Sequence, residues 1–243
     1  MAVELNCDMG EAFGLYRCGD DEGIMPLIDV ANVACGFHAS DPVVLRRTVR
    51  LAKQHGVRVG AHPSFPDLQG FGRREMKMGH DELVACVIYQ IGALKTFLDL
   101  EGMPLNHVKP HGALYGAASR DPAVAEAIAE AVLAFGVPVM GMAGTVHEQV
   151  YTARGLAFIP EYYTDLDYTD EGRLIITREH AATDPDEAAR RAVRMARDGL
   201  ATSVNGKEFP IRATCFCIHS DTPTAMPLAR AVRTALKPWL LAA

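Results

Sequence analysis

Apolar and polar positions along this chain fall into two alternating rhythms. A short β-branched or apolar run is followed by a polar loop, then by a longer segment whose apolar residues recur every three to four positions. The short runs are "AVELNCD", ending at Asp8; "VANVACGFH", leading to His38; "VRVGAHP", reaching His62; "HVKPHG", reaching His111; "VPVMGMAG", ending at Gly144; "LAFIPEYY", reaching Glu161; and "ATCFCIHSD", reaching His219. The helical segments between them are well punctuated. "DPVVLRRTVRLAKQHG" offers Asp41 as cap, Pro42 at the first helical position and Gly56 as stop. "RDPAVAEAIAEAVLAFG" and "DPDEAARRAVRMARDG" repeat that grammar, "GHDELVACVIYQIGALKTFLDLEG" keeps helical spacing from Leu83 to Leu100, and "DTPTAMPLARAVRTAL" closes the chain. Asn205-Gly206 breaks the rhythm and predicts a hairpin before the last strand.

Strands alternating with helices predict a parallel sheet, and mostly apolar strands predict one covered on both faces. Nearly every strand ends on a chemically capable residue. A barrel gathers all such ends into one mouth, whereas an open sheet uses only those near its switch point. The expected fold is therefore α/β, a seven-stranded (β/α) TIM-like barrel, and 243 residues suit a single barrel domain over 1–243.

Composition narrows the partners. A net charge of −6 argues against nucleic acid or an anionic membrane surface. The start carries acids and no basic-then-apolar leader. The longest mostly apolar run, "AVLAFGVPVMGMAG", is broken by Gly and Pro and falls short of the roughly 20 residues a membrane span needs. Six cysteines without a CxxC pair read as reduced thiols, so the expected location is cytoplasmic. The basic stripes Arg46, Arg47, Arg50, Lys53 and Arg190, Arg191, Arg194, Arg197 read as solvated outer faces of helices.

The chemistry starts at "HVKPHG". His107 and His111 stand four apart, the spacing of a zinc-protease helix, but Pro110 excludes a helix at a cost of roughly 3 kcal/mol. On a strand, His107, Lys109 and His111 share one face, with the two histidines about 13 Å apart at roughly 3.3 Å per residue. They cannot share one ion. His107 is expected at the far end of the barrel or exposed, in a structural role. Lys109 and His111 are expected at the mouth, since an inward lysine needs an anion or carboxylate. Asp8 and Glu11 follow the first strand, and a carboxylate there can be a general base or a metal ligand. "NVACGFHASDP", in the second, holds Asn32, His38 and Asp41, with Asp41 the cap. His62 opens a long Gly/Pro-rich loop in which Arg73 and Arg74 could clamp a carboxylate or phosphate. Glu161, with Asp165 and Asp167 behind it, and His219, with Asp221, complete the set. No P-loop, Rossmann glycine motif or GxSxG elbow is present. Composition and spacing reach as far as acid–base or metal-assisted hydrolysis of a small polar substrate.

The stretches "LNCDMGE", "MPLIDVANVACGFHASDP", "GAHPSFPDLQGFGRREM", "VKPHGALY" and "CIHSD", in this order and spanning the chain, resemble the LamB/YcsF family, the A subunits of 5-oxoprolinase. The resemblance implies an irregular seven-stranded barrel of the glycoside hydrolase/deacetylase type. It implies ATP as co-substrate in opening the lactam 5-oxo-L-proline to L-glutamate, with subunits B and C as partners. On this reading Lys109 stabilises developing negative charge, Asp8 or Glu161 is the base for water, and His62, His111 or His219 carries protons. Glu11, Asn32, His38, Arg73, Arg74 and Asp165 face the substrate. A divalent metal is left open, with Asp8, His38 and His62 its ligands if one is present; so is homo-oligomerisation. The alternatives are a stand-alone metal-dependent deacetylase or amidohydrolase and a non-catalytic lactam-binding subunit. The chain departs from the family pattern at Ser40 and Ser220, usually Gly, and at Leu166, usually Arg. If the absent arginine grips substrate carboxylate, Arg73 or Arg74 is its substitute, or the lactam differs.

Overall fold

The computed structural model describes residues 2–177 and 182–241. Seven parallel strands close into a barrel in the order β1 (Glu4–Met9), β2 (Val30–Ala34), β3 (Arg58–His62), β4 (Leu105–Val108), β5 (Val139–Gly141), β6 (Phe158–Tyr163) and β9 (Cys215–His219). Strand β9 closes the ring, pairing with β1 from Glu4↔Cys215 to Asp8↔His219 and with β6 from Glu161↔Cys215 to Tyr163↔Cys217. The ladder between β4 and β5 is irregular, reduced to Val108↔Val139. The expected fold is the one observed. The two remaining strands, β7 (Leu200–Thr202) and β8 (Glu208–Pro210), form the antiparallel hairpin that Asn205-Gly206 signals.

Each barrel strand buries both faces, because helices cover the outside while the interior fills with side chains. Helix α1 (Asp21–Ile24) is a short turn after β1. In α2 (Pro42–His55), the Asp41 carboxylate accepts from the Val43 and Val44 amides, and Gly56 ends the helix in the left-handed region. Its Arg50 and Lys53 meet Glu101 at the surface, as the outer-face reading of the basic stripe expects. Helix α3 (His80–Leu100) is by length and composition apolar enough to cross a membrane. Yet Leu83, Val87, Ile91, Leu94 and Leu98 line one side of it, and all five lie in the barrel's outer core, the pattern of a core helix. Three helices follow: α4 (Gly112–Ala118), α5 (Pro122–Leu133) and α6 (Val146–Ala153). Helix α7 (Pro185–Asp198) is capped by Asp184 and stopped by Gly199 as the sequence signals. Helix α8 (Ala225–Leu236) has Thr224 at its N-cap position, three residues past Asp221, the acid that precedes this helix in the sequence. Asp221 is not its cap, because its carboxylate instead lies 2.8 Å from Arg73.

Polar side chains occupy the barrel's interior in an ordered layer. Gly60 admits His107, since a Cβ at Gly60 would sit 2.1 Å from the imidazole Cε1. His107 is therefore neither exposed nor idle at the rim. It is fully buried and donates from Nε2 to Asn32 Oδ1 at 2.7 Å. Burial, and then Lys109 beside it, lowers its pKa to about 3, so it is neutral.

Candidate active site

The C-terminal ends of the strands form a mouth with a charged floor and two walls. The floor is Lys109, one residue past β4, where the chain is still extended. Its Nζ lies 2.8 Å from Glu161 Oε1 and 3.1 Å from Asp8 Oδ1, and donates to Cys217 Sγ at 3.1 Å. Burial pulls the ammonium pKa down, but Asp8 foremost, with Cys217 and Glu161, drives it well above the usual lysine value. Lys109 stays charged. Asp8 is buried, which alone raises a carboxyl pKa, yet His62 and Lys109 hold it well below the ordinary range. Asn32 Nδ2 donates to Asp8 Oδ1 at 2.8 Å and to Asn6 Oδ1 at 2.8 Å. Asn32 thus lies beneath the mouth and fixes Asp8; it does not face the substrate space as the sequence suggests.

The first wall is imidazole and carboxylate. His38 Nε2 is 3.1 Å from Glu11 Oε1, His111 Nδ1 is 3.5 Å from the same oxygen, and His62 Nε2 is 2.9 Å from His111 Nδ1 and 3.2 Å from Asp8 Oδ2. The His38 and His111 rings stack at 3.8 Å between centroids. All four residues are buried. Burial holds His38 and His111 well below the usual histidine value, and burial with the nearby Asp8 and Asp221 charges raises Glu11. The loop between β3 and α3 backs this wall. Gly72, at φ +66°, is required there, because a Cβ would stand 2.2 Å from Ser64 Oγ and 2.8 Å from His111 Cδ2. As a donor set, Glu11, His38, His62 and His111 lie within 4.8 Å of one another and fit a borderline divalent metal. This grouping differs from Asp8, His38 and His62: Glu11 and His111 converge with the two histidines, while Asp8 groups with Cys217 and His219.

The second wall is His219. Its amide and Nδ1 donate to Asp165 at 2.7 and 3.1 Å, and its Nε2 lies 3.7 Å from Asp8 Oδ2. Burial lowers the His219 pKa, but Asp165 outweighs it and the net shift is upward. Asp165 is therefore a positioning residue behind His219, with no substrate-facing placement. Tyr163 stacks on His219 at 5.7 Å and lies 5.1 Å below Lys109 Nζ. Of the two arginines, Arg73 is buried at the mouth, over Phe71 and against Asp221. Arg74 is not at the mouth: it turns outward, and its guanidinium closes the loop on Asp67. Asp167 likewise lies outside, against Arg191.

Leu166, Leu174 and Ile176 roof the mouth. The space among Asp8, His62, Arg73, Lys109, His111, Tyr163 and His219 is only about 30 Å³. A groove of about 800 Å³ adjoins it, sharing Arg73, Tyr115, Leu174 and Ile176 and lined also by Arg120 and Arg173. Sequence reading missed Asn6, Cys217 and Tyr163. The signal was available: by the period of two, Asn6 faces inward with Asp8, Tyr163 with Glu161, and Cys217 with His219.

A parallel (β/α) barrel with a buried lysine between two carboxylates, and histidines around it at the strand ends, defines a barrel enzyme equipped for acid–base hydrolysis. Residues 3–239 match the model of the LamB/YcsF family, and the chain belongs to that family. It is 50% identical over 241 residues to the A subunit of 5-oxoprolinase from Thermus thermophilus, covering 98% of this chain and 96% of that protein. It is 46% identical to the "Lactam utilization protein lamB" of Emericella nidulans, over 94% and 92% of the two chains. Among solved structures, the lactam utilization protein of Thermus thermophilus superposes with a TM-score of 0.91 at 50% identity, over 98% and 97% of the two chains.

Proposed function

We propose that this chain is the lactam-opening A subunit of an ATP-hydrolysing 5-oxoprolinase that acts with subunits B and C. The observation that carries the reading is the Lys109 ammonium fixed between Asp8 and Glu161 at the barrel mouth, in a chain half identical to proteins named for this activity. The lactam amide is stable, and ATP activates it by transfer of the γ-phosphoryl group to the carbonyl oxygen, with ADP leaving. Water then adds to the carbonyl carbon. Asp8, held charged, faces that water and accepts its proton as the C=N electron pair moves to the ring nitrogen, while the Lys109 ammonium offsets the negative charge of the transferred phosphoryl group. His219, its pKa raised by Asp165, gives a proton to the ring nitrogen as the C–N bond breaks. A second water hydrolyses the resulting acyl phosphate to L-glutamate and phosphate. Arg73 replaces the arginine missing at Leu166 in gripping the substrate carboxylate.

We place the nucleotide in the adjoining groove, whose volume of about 800 Å³ and three arginines, Arg73, Arg120 and Arg173, set against Glu75 and Glu171, suit it, with the partner subunits completing its cover. The 30 Å³ space at the floor holds about one water, so the roof of Leu166, Leu174 and Ile176 moves aside when the lactam enters. The six free thiols favour a reducing, cytoplasmic setting. The test is reconstitution: ADP and glutamate are measured with the chain alone, with subunits B and C, and with 5-oxo-L-proline omitted. We expect both products only in the complete mixture. Absence of glutamate from that mixture overturns the assignment.

A further inference from the structure

Two imidazoles at the mouth have their proton positions set by their backbone partners. His62 Nδ1 lies 2.7 Å from the Lys109 carbonyl oxygen, and His111 Nε2 lies 2.8 Å from the Phe71 carbonyl oxygen. A carbonyl only accepts, so each of these nitrogens carries the hydrogen. The remaining nitrogens, His62 Nε2 and His111 Nδ1, then direct lone pairs at each other across 2.9 Å. Only a cation between them makes that arrangement favourable. Two further donors approach the same place: Glu11 Oε1, 3.5 Å from His111 Nδ1, and His38 Nε2, 3.1 Å from that oxygen.

We propose that Glu11, His38, His62 and His111 bind one divalent transition-metal ion of the zinc class. Metal–nitrogen bonds of about 2.0–2.1 Å in a tetrahedron set donor–donor edges near 3.3 Å. Three of the six edges, at 2.9, 3.1 and 3.5 Å, bracket that value. The His38 and His111 rings lie parallel at 3.8 Å, so one of them turns about its side-chain bonds to bring both lone pairs onto the ion. Three imidazoles and one carboxylate are a donor set such an ion accepts. The carbonyl partners of His62 and His111 match the outer contacts that orient metal-bound histidines and fix their tautomer. The four residues come from the ends of β1, β2, β3 and β4, and the Phe71 carbonyl ties in the long loop. The ion therefore clamps four βα connections beside Asp8. In this arrangement His62 and His111 are ligands and do not carry protons. The site does not rest on the lactam or on ATP. The competing occupant is a single proton on His62 Nε2, divided between Asp8 Oδ2 at 3.2 Å and His111 Nδ1.

The experiment strips the full chain with chelator, removes the chelator, and titrates with Zn²⁺ and separately with Co²⁺, without nucleotide or lactam. We expect one equivalent bound per chain, visible Co²⁺ absorption of the tetrahedral type, and a higher melting temperature. Glu11→Gln keeps size and shape, and should weaken uptake beyond the roughly 10–100-fold typical of losing an outer contact to a ligand. His38→Ala should do the same, with circular dichroism confirming that each variant is folded. Absence of stoichiometric uptake by the wild-type chain overturns the proposal in favour of the shared proton. Uptake unchanged in both variants overturns it as well, since the metal then binds elsewhere.

Discussion

Replacing Lys109 by Met removes one charge and keeps the volume of the side chain. In the native barrel its ammonium stands 2.8 Å from Glu161 and 3.1 Å from Asp8. At an effective dielectric of about 20, those separations correspond to about 6 and about 5 kcal/mol of attraction. Most of that gain is consumed by desolvation, which costs several kcal/mol for each buried ion. The pair of contacts is therefore only modestly stabilising against a neutral replacement of all three residues. Removing the lysine alone is different, because the desolvation of the carboxylates persists without the attraction. Asp8 keeps Asn32, His62 and His219. Glu161 loses its ion-pair partner, and neither of its oxygens has a hydrogen bond from the described residues. We expect Lys109→Met to destabilise the chain by about 3–5 kcal/mol, the usual consequence of breaking a buried pair on one side. At about 2–4 °C per kcal/mol for a chain of this size, the melting temperature falls by roughly 6–20 °C. Adding Glu161→Gln removes the orphaned charge, and the double variant should be about 1–3 kcal/mol more stable than Lys109→Met alone. Thermal and urea unfolding followed by circular dichroism at neutral pH measure all three proteins. A melting shift below about 2 °C for Lys109→Met, or a double variant no more stable than the single, refutes the electrostatic account of the floor.

Four further outcomes follow from particular residues. Ser40 holds φ at +75°, so Ser40→Gly should stabilise the chain by about 1 kcal/mol in chemical denaturation, and no gain would remove the strain argument. Gly60→Ala drives a Cβ into His107 and should cost about 1–3 kcal/mol; a variant within about 0.5 kcal/mol of wild type contradicts the tight interior packing. Arg73→Ala should raise KM for the lactam, whereas Arg74→Ala, which breaks a loop contact with Asp67 away from the mouth, should leave KM unchanged. His219 titrates above its unfolded value of 6.5, so its contribution is whole below pH 6.5 and is lost as pH rises through its folded pKa. Asp165→Asn should flatten that decline in a pH series of unfolding curves, and an unchanged slope would assign it to another group.

Much of the fold was legible because its signals are local. The Asp-Pro starts and glycine stops mark α2 and α7, and the two rhythms mark seven strands. The mouth was legible to the extent that position at a strand end implies it, which held for Asp8, His62, His111 and His219. The rule fails where depth decides. Asn32 is in the middle of β2 and points beneath Asp8, and Asp165 lies past β6 but folds back behind His219. Arg73 and Arg74 are adjacent in sequence, and only the left-handed turn at Phe71 and Gly72 sends one to the mouth and the other to Asp67. A period of two cannot supply that turn, since it belongs to the loop.

The same limit explains why the histidine wall was read differently. Sequence places His38, His62 and His111 each at the end of its own strand, and equally near Asp8. What distinguishes them is the direction of individual nitrogens. That direction is set by two backbone carbonyls, at Lys109 and Phe71, which no pattern of side chains reports. His62 is the hinge of the arrangement, since one Nε2 meets both Asp8 and His111. A cation at that nitrogen joins the wall to the charged floor. Whether the cation is a metal or a proton changes what Asp8 can do. Beside a metal-bound His62, Asp8 keeps Lys109 and Asn32 on Oδ1, and its Oδ2, facing only His219 at 3.7 Å, is open to water. Beside a protonated His62, that oxygen accepts an N–H and is a poorer base. The occupant of the histidine wall therefore sets the basicity of Asp8, the carboxylate proposed as the base for water.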